Sequence, residues 1–248
     1  MFIFIILLIF GVATHGEIDL KRAASSPPPV RPATQEAERR SVTARVKPVE
    51  ELRMEMQGLV NVKSYAPDIV VQLAYASSNN ILNEQLYHDF NEAYLQKDAA
   101  LKLSLAQNIL KKISPTLSII VYDAARPQRI QQRCWEIARE KKLQFLFTDP
   151  EKISMHTYGV AIDVSLVSLV TNTELDMGGS FDNSGAMAAP KREREMLLSG
   201  RLSKQQHANR LLLREVMQAA GFTPISNEWW HFEACTRREA EKKYRPII

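Results

Sequence analysis

The sequence predicts an α+β domain in which helices pack on a small, mostly antiparallel sheet. Helical and strand periodicities alternate along the chain, but the strands are too few and too irregularly spaced for regular βαβ units. The 248 residues are 45% hydrophobic and 24% charged, which is enough for one sizeable core or two small ones. This composition excludes collagen-like, wholly disordered and disulfide-scaffold proteins.

The chain begins with an uncharged apolar run over residues 2–13, followed by small and polar residues. The run is shorter than the roughly 20 residues that a membrane-spanning helix needs, and it is typical of the hydrophobic region of a secretory signal. We therefore predict a signal peptide over residues 1–16, export to the periplasm or the exterior, and no stable membrane insertion after cleavage. No Lys or Arg precedes the run, so a short buried helix or an uncleaved anchor stays as an alternative.

Residues 17–49 are polar and rich in Ala, Ser and Pro, with almost no large apolar side chains. Such a segment does not bury enough surface to offset its ordering entropy. We predict a flexible tether here, followed by a single folded domain over residues 50–248.

The first helical pattern of this domain lies at residues 101–113. Apolar residues recur there every four positions, and Ser114-Pro115 ends the pattern. We predict an amphipathic helix whose apolar stripe faces the core. The stripe consists of Leu101, Leu105, Ile109 and Ile113, with Leu110 beside it.

The remaining elements alternate between strand and helix. The β-branched run at 117–122 predicts a buried strand, and Pro127 is suited to open a helix that continues to about residue 141. Further along, the patterns predict a strand at 159–165, a helix at 209–220 ended by Gly221, and a short strand at 229–233.

Charge and cysteine content restrict the possible partners. The 32 Lys and Arg residues are scattered among 28 Asp and Glu residues rather than gathered into a stripe, so we predict no nucleic-acid partner. Cys134 and Cys235 are too few for a cysteine-rich zinc site, and any metal would have to rely on His and carboxylate ligands. Whether the two cysteines form a disulfide depends on their separation, which the sequence leaves open.

His156 and Asp163 carry the first candidate chemistry. Six residues lie between them, including Gly159. If His156 lies on a loop entering the strand and Gly159 allows a tight bend, both side chains converge on one point. Taken alone, such a pair usually consists of unrelated polar residues, because metal sites are recognised by the number of ligands as well as their type.

The segment Glu228-Trp229-Trp230-His231 makes a metal site more plausible, because it places a carboxylate and an imidazole beside two rings that exclude water. Two His and one carboxylate form a known ligand set for catalytic zinc, with a fourth position for water. Glu228 would then accept a proton from that water. The alternative is that His231 is a core histidine bonded to a backbone carbonyl, with the tryptophans in ordinary packing.

The third segment is Asp123-Ala124-Ala125-Arg126-Pro127, at the end of the predicted strand. The guanidinium of Arg126 has a fixed fork of donors that can grip a carboxylate or an oxyanion. The alternative is a surface arginine paired with Asp123.

The order of these motifs resembles the zinc D-alanyl-D-alanine dipeptidases, which are relatives of the D,D-carboxypeptidases. The motifs are Asp-x-x-Arg-Pro, Ser-x-His-x-x-Gly-x-Ala-x-Asp and Glu-Trp-Trp-His, and the resemblance runs from about Val60 onward. Residues 73–80 are similar to the family's Tyr-Ala-Thr-x-x-Asn stretch, and residues 176–182 to its Met-Gly-x-x-Phe-Asp segment. These two stretches favour the dipeptidase branch.

The resemblance implies one Zn²⁺ per chain and a role for each matched residue. It implies His156, Asp163 and His231 as zinc ligands, Glu228 as general base and Arg126 as the group that stabilises the oxyanion. It also implies four residues on the substrate-binding side. These are Tyr75 and Asp182 near the substrate's ammonium group, Ser154 near its amide or carboxylate, and Asp123 as the partner that orients Arg126.

Two departures affect the expected pocket wall and leave the metal ligands intact. Ala124-Ala125 replaces the family's usual Gly-Tyr, and Asn79-Asn80-Ile81 lacks the usual aromatic after Asn.

The function we predict is zinc-dependent hydrolysis of D-alanyl-D-alanine, a small D,D-dipeptide, in cell-wall peptide turnover or glycopeptide tolerance. One alternative is a D,D-carboxypeptidase that trims peptidoglycan stem peptides, with an open groove and Asp182 away from the metal. Another is a non-catalytic wall-binding module. The oligomeric state is not predicted.

Overall fold

The computed structural model describes residues 47–88, 90–149, 151–182 and 185–248. The predicted signal peptide, and the tether up to residue 46, lie outside these residues, so both stay predictions. In the described part of the chain, no helix has the length and apolar character needed to cross a membrane.

The described residues form six α-helices and eight β-strands, joined by turns and short 3₁₀ segments. The helices are α1 (Val49–Met56), α2 (Lys97–Ile113), α3 (Gln128–Glu140), α4 (Glu193–Leu198), α5 (Lys204–Ala219) and α6 (Arg237–Lys243). The strands are β1 (Leu59–Asn61), β2 (Val70–Val71), β3 (Tyr94–Gln96), β4 (Leu117–Asp123), β5 (Ala161–Ser168), β6 (Thr173–Glu174), β7 (Thr223–Pro224) and β8 (His231–Glu233).

Six strands form the main sheet in the order β2-β4-β5-β8-β7, with β6 paired to β5, and β1 and β3 form a separate antiparallel pair. Within the main sheet β2 and β4 run parallel, and the other described pairs are antiparallel. The predicted α+β class with a small, mostly antiparallel sheet is confirmed.

The register of the three central strands brings distant polar residues to one level of the sheet. Asp163 on β5 pairs with Asp123 on β4, just after an irregularity in the ladder, and with His231 on β8. Residues 108 positions apart in sequence therefore become neighbours across three strands. Helix α2 packs against both β4 and α5.

Helix α2 exists where the periodicity predicts it, but the predicted buried face is only partly correct. Leu110 is fully buried and Ile109 packs against the core, whereas the other three residues are largely exposed. Leu101, Leu105 and Ile113 are 49%, 48% and 58% exposed. The buried face is instead formed by Ala99, Ala100, Leu103, Ala106, Gln107 and Leu110. Small alanine side chains let the helix approach its neighbours closely, so the core selects this stripe over the one with more large aliphatic side chains.

Most other predicted elements are confirmed with shifted ends. Helix α5 begins earlier than its apolar spacing indicates, because Ser203 and Gln206 form a capping box with reciprocal side-chain to backbone hydrogen bonds. Gly221, with φ of 88°, follows the end of this helix as predicted. The strand predicted at 229–233 is formed only from His231 onward. Both cysteines are free thiols, Cys134 buried on α3 and Cys235 partly exposed, so the disulfide left open above is not formed.

Candidate active site

Three donor atoms converge at the edge of the three central strands. The ligand atoms of His156, Asp163 and His231 all lie within 4.8 Å of one another, and all three residues are buried. His231 Nδ1 is 2.9 Å from Asp163 Oδ1, and His156 Nε2 is 3.4 Å from the same oxygen. The two imidazole nitrogens are 3.2 Å apart. Asp163 and His231 are brought together by strand pairing, whereas His156 arrives from the turn before β5.

Two local features position His156. Gly159 adopts φ of 70° in this turn, and a Cβ there would lie 3.0 Å from Leu59 Cδ2, so the tight bend requires glycine. The backbone N–H of Arg126 donates to the backbone carbonyl of His156 at 3.0 Å, which connects this turn to the segment after β4. The sequence expectation that His156 and Asp163 meet through a bend at Gly159 therefore agrees with the geometry.

The tautomer of His156 follows from its second hydrogen bond. Its Nδ1 lies 2.7 Å from the Ala124 carbonyl oxygen, which accepts only, so Nδ1 carries the proton. Nε2 is left with a lone pair directed at Asp163 and His231. Such a backbone partner is how proteins orient a histidine that binds a metal.

His231 is held between carboxylates. Its Nδ1 faces Asp163, and its Nε2 lies 3.7 Å from Glu233 Oε1. Although burial disfavours the charged imidazolium, the carboxylates of Asp163, Glu233 and Glu228 raise the pKa of His231 to about 10. Burial opposes the ionisation of Asp163, but the hydrogen bonds and electrostatic interactions with the neighbouring imidazoles of His156 and His231 hold the pKa of Asp163 far below its usual value. The site thus favours a positive charge at its centre.

These residues fit a divalent metal ion. Two imidazole nitrogens and one carboxylate oxygen face each other at contact distance, and a divalent cation bound between them would take the place of the proton that His231 otherwise shares with Asp163. The remaining nitrogen of each histidine already has a neighbouring carbonyl or carboxylate on its outer side. His156, Asp163 and His231 can therefore hold a metal with a position left over for a further ligand.

Glu228 lies beside this cluster without being part of it. Its Oε2 is 3.9 Å from His231 Nδ1, and its side chain is 27% exposed, so water can reach it. Burial raises the pKa of Glu228, and the negative charge of Asp163 acts in the same direction. A carboxylate whose pKa lies closer to neutrality is better suited to exchange protons at that pH.

Arg126 is buried against a carboxylate. Its Nε donates to Asp123 Oδ2 at 2.9 Å, its Nη2 donates to the same oxygen, and its Nη1 donates to Gln131 Oε1 at 2.9 Å. Its guanidinium carbon lies 5.1 Å from the ring centroid of Tyr75. Three of its five N–H groups are thereby used, and the other two remain for a ligand in the cavity.

Asp123 is fully buried and does not line the cavity, unlike the other residues expected on the substrate-binding side. Its Oδ1 accepts from the Tyr87 hydroxyl at 2.6 Å and from the Ala124 N–H at 2.9 Å. Its position behind Arg126 agrees with the expectation that it orients this arginine, and not with a direct contact to substrate.

Tyr75 and Asp182 meet on another wall of the same cavity. The buried Tyr75 hydroxyl donates to Asp182 Oδ2 at 2.8 Å. Asp182 has φ of 60°, a conformation that aspartate tolerates better than most residues. Burial raises the pKa of Asp182 to about 7, against the opposing hydrogen bond from Tyr75.

The structure brings eight of the nine predicted site residues to one cavity of about 160 Å³, and Asp123 lies behind it. The eight are Tyr75, Arg126, Ser154, His156, Asp163, Asp182, Glu228 and His231. Ser154 is buried, and its Oγ accepts from the His156 N–H at 3.3 Å, so this hydroxyl also supports a ligand residue.

Sequence reasoning missed several residues around the site. Glu233 follows His231 by two positions in β8, so strand alternation alone places both side chains on one face. Tyr87, Gln131 and Arg237 come from segments without a recognised motif, and only the folded structure brings them to the site.

Comparisons with known proteins agree with each other. Residues 55–245 match the model of peptidase family M15, described as D-ala-D-ala dipeptidase. The D-alanyl-D-alanine dipeptidase of Escherichia coli (strain K12) is 34% identical over 175 residues, covering 71% of this chain and 83% of the relative. The protein of the same name from Synechocystis sp. is 28% identical over 170 residues, covering 56% of this chain and 68% of the relative. That of Enterococcus faecium is 35% identical over 79 residues, covering 32% of this chain and 36% of the relative. The span matched by the family model includes every site residue named above.

Proposed function

Because the chain belongs to the D-ala-D-ala dipeptidase family of metallopeptidases, we propose that it hydrolyses the dipeptide D-alanyl-D-alanine with one zinc ion held by His156, Asp163 and His231. The observation that carries this proposal is the single cavity shared by these three side chains, Glu228 and Asp182. A small peptide bound there meets a metal site, a base and a carboxylate at once.

The donor set supports zinc as the metal. Two imidazoles and one carboxylate suit Zn²⁺ in a four-coordinate site with one open position. When bound, zinc lowers the pKa of a coordinated water toward about 7 and polarises the scissile carbonyl.

Glu228 moves the protons of the reaction. Its carboxylate accepts a proton from the attacking water as the new C–O bond forms, and later delivers it to the nitrogen of the leaving D-alanine as the C–N bond breaks. The raised pKa of Glu228 suits both steps, because the group must gain and lose the same proton near neutral pH.

Arg126 stabilises the negative charge that develops on the carbonyl oxygen. Asp123 and Gln131 fix its guanidinium before substrate binds, so little reorganisation is needed when the charge appears. Two N–H groups of the fork remain to donate to that oxygen.

Asp182 and Tyr75 recognise the free ammonium group of the dipeptide. An ionised Asp182, fixed by the Tyr75 hydroxyl, attracts this group and leaves no ammonium partner for a longer peptide chain at the same point. The competing carboxypeptidase reading expects Asp182 to lie away from the metal residues, whereas Asp182 lines their cavity. This favours the dipeptidase.

We also propose that the protein acts outside the cytoplasm, in cell-wall peptide turnover or glycopeptide tolerance. The apolar run at residues 2–13 and the polar segment after it support export. The apolar run, and the polar segment up to residue 46, lie outside the described residues.

The test is the release of D-alanine from D-alanyl-D-alanine by the purified full chain, measured together with its zinc content. Glu228→Gln is expected to keep bound zinc and to lower kcat by about 10²- to 10⁴-fold, the usual contribution of a general acid–base group. Glu215→Gln, an exposed glutamate on α5, is the matched control and should leave kcat unchanged.

Each competing function has its own outcome. Cleavage of a stem pentapeptide without cleavage of the dipeptide would establish the carboxypeptidase. Stoichiometric zinc without hydrolysis of either peptide would establish a binding module. Purified protein that carries a different metal, and that loses activity when this metal is exchanged for zinc, would overturn the choice of metal alone.

A further inference from the structure

The proposed dipeptide substrate carries two opposite charges, and Asp182 matches the charge of the ammonium group. Ser154, which is expected near the amide or carboxylate, offers only a neutral hydroxyl, so the charge of the free carboxylate still needs a cationic partner. Four carboxylates line the cavity and would repel this carboxylate, and a bound metal offsets only part of their charge. They are Asp163, Asp182, Glu228 and Glu233.

Among the described residues that line the cavity, the permanent cations are Arg126 and Arg237. Arg126 is buried, and its Nε and Nη2 both donate to Asp123. Its fork is thus held in one orientation by a full opposing charge. Arg126 is therefore poorly placed to neutralise a second carboxylate as well as a developing oxyanion.

Arg237 is in a different situation. It is exposed, and its Nη1 donates to the Ile153 carbonyl at 2.6 Å. Among the described residues it forms no ion pair. The Ile153 contact uses one of its five N–H groups, so its full charge and most of its donors are available to a ligand in the cavity.

The backbone and the side chain of Arg237 are both fixed beside the site. Thr236 precedes it as the N-cap of α6, in a capping box with Glu239 that sets where the helix starts. The bond to Ile153 holds the guanidinium against the segment that continues through Ser154 to His156. The arginine is thus positioned before substrate binds, which reduces the ordering cost of using it.

We propose that Arg237 binds the free α-carboxylate of the substrate's C-terminal residue and thereby restricts cleavage to peptides with an unblocked C-terminus. The inference rests on the proposed dipeptidase function and adds a specificity residue to it. A guanidinium and a carboxylate form a charge-assisted pair, whereas a C-terminal amide carries no charge to match.

The experiment compares D-alanyl-D-alanine with its C-terminal amide as substrates of the zinc-loaded full chain. Arg237→Gln is expected to raise KM for the free acid about tenfold, with a smaller change in kcat, because one exposed charge-assisted contact is lost. Its kcat/KM for the amide should stay close to that of the wild type, so the preference for acid over amide falls by the same factor.

Two further variants separate charge from shape and from general effects. Arg237→Lys keeps the charge without the fork and is expected to retain part of the preference. Arg238→Gln removes the neighbouring exposed arginine of α6, which does not line the cavity, and should leave both substrates unaffected.

Failure of the inference and failure of the proposed function are distinguishable. If the wild type prefers the free acid and Arg237→Gln keeps that preference, the arginine has no such role and the dipeptidase stands. If Arg238→Gln loses the preference to the same extent, a general charge effect replaces the specific contact. If the zinc-loaded wild type cleaves neither substrate, the proposed function itself fails, and the inference fails with it.

Discussion

Replacing Asp123 with Asn tests whether the buried pair behind the cavity positions Arg126. Both carboxylate oxygens of Asp123 are committed to donors. Oδ1 accepts from the Tyr87 hydroxyl and the Ala124 N–H, and Oδ2 accepts from Nε and Nη2 of Arg126. An asparagine keeps only one oxygen. Whichever way its amide turns, its NH₂ group faces two donors, and those donors lose their acceptor.

The size of the effect follows from burial. Asp123 is 0% exposed and Arg126 is 6% exposed, so the guanidinium would be left without its counter-charge in a site that water hardly reaches. Removing one partner of such a buried pair costs about 3–5 kcal/mol of unfolding free energy. For a domain of this size that corresponds to a Tm lower by roughly 6–20 °C. We also expect kcat to fall, because a loosened guanidinium no longer donates from a fixed position.

Urea unfolding of Asp123→Asn, Arg126→Met and the double variant measures this coupling directly. The double variant should be more stable than the sum of the single losses predicts, because it contains no orphaned charge. The control is Glu195→Gln. The Glu195 carboxylate pairs with Arg192 and Arg201 at the surface, so its removal should lower the free energy of unfolding far less. The reasoning would be refuted if Asp123→Asn lowered the free energy of unfolding no more than Glu195→Gln does. It would also be refuted if the stability losses of Asp123→Asn and Arg126→Met simply added in the double variant.

Three further predictions concern the core, a turn and the pH dependence. Leu103→Ala should lower the free energy of unfolding by about 2–5 kcal/mol, and Leu101→Ala by about 0.5 kcal/mol or less, because only Leu103 is buried on α2. If urea unfolding gave the same loss of stability for both variants, the buried face of α2 would be assigned wrongly. Gly178→Ala should lower the stability of the fold more than Gly200→Ala. Both glycines have positive φ, which strains an alanine by about 1–2 kcal/mol, but only at Gly178 would the new Cβ also lie 2.6 Å from Leu202 Cδ1. Equal losses of stability in thermal unfolding would contradict this clash. Burial raises the pKa of Asp182 to about 7, so its carboxylate becomes protonated as the pH falls below that value, and KM for D-alanyl-D-alanine should rise about tenfold per pH unit. A steady-state pH profile in which KM stays unchanged between about pH 5 and pH 7 would refute this prediction. The same pH dependence of KM in Asp182→Asn would refute it as well.

Long elements with strong local signals were predictable from the sequence. Strand β4 follows from its β-branched run, and α3 follows from Pro127, which is its N-cap. The buried face of α2 was not predictable from apolar spacing, because the stripe with leucine or isoleucine at every fourth position carries more large aliphatic side chains than the stripe that is buried. What decides the face is how closely Ala99 and Ala106 allow the neighbouring elements to approach, and that depends on the partner surface.

For the site, too, some residues can be identified from the local sequence, whereas others are recognised only from contacts in the folded structure. His156, Asp163, Glu228 and His231 lie in motifs that are weak one by one but that together, in their order along the chain, resemble those of a metallopeptidase family. Tyr87 reaches Asp123 from 36 positions earlier in the chain, and nothing in the sequence around Tyr87 marks it as a partner. Such supporting contacts are set by tertiary packing, so a motif identifies the ligands before it identifies what orients them.

The positions of the metal-binding residues are more strongly constrained by the fold than those of the residues proposed to bind the two ends of the substrate. Asp163 and His231 face each other across paired strands, so a register slip in β5 or β8 would turn these side chains away from one another. The groups proposed to hold the two ends of the substrate lie off the sheet. Asp182 follows β6 in a connecting segment, and Arg237 begins the short helix α6. Changes in those segments leave the strand register intact, so substrate length and terminus selection can vary while the metal centre stays fixed. Variants at Asp182 and Arg237 should therefore alter KM and substrate preference with zinc content unchanged, whereas variants at the three metal-binding residues should lower zinc content itself.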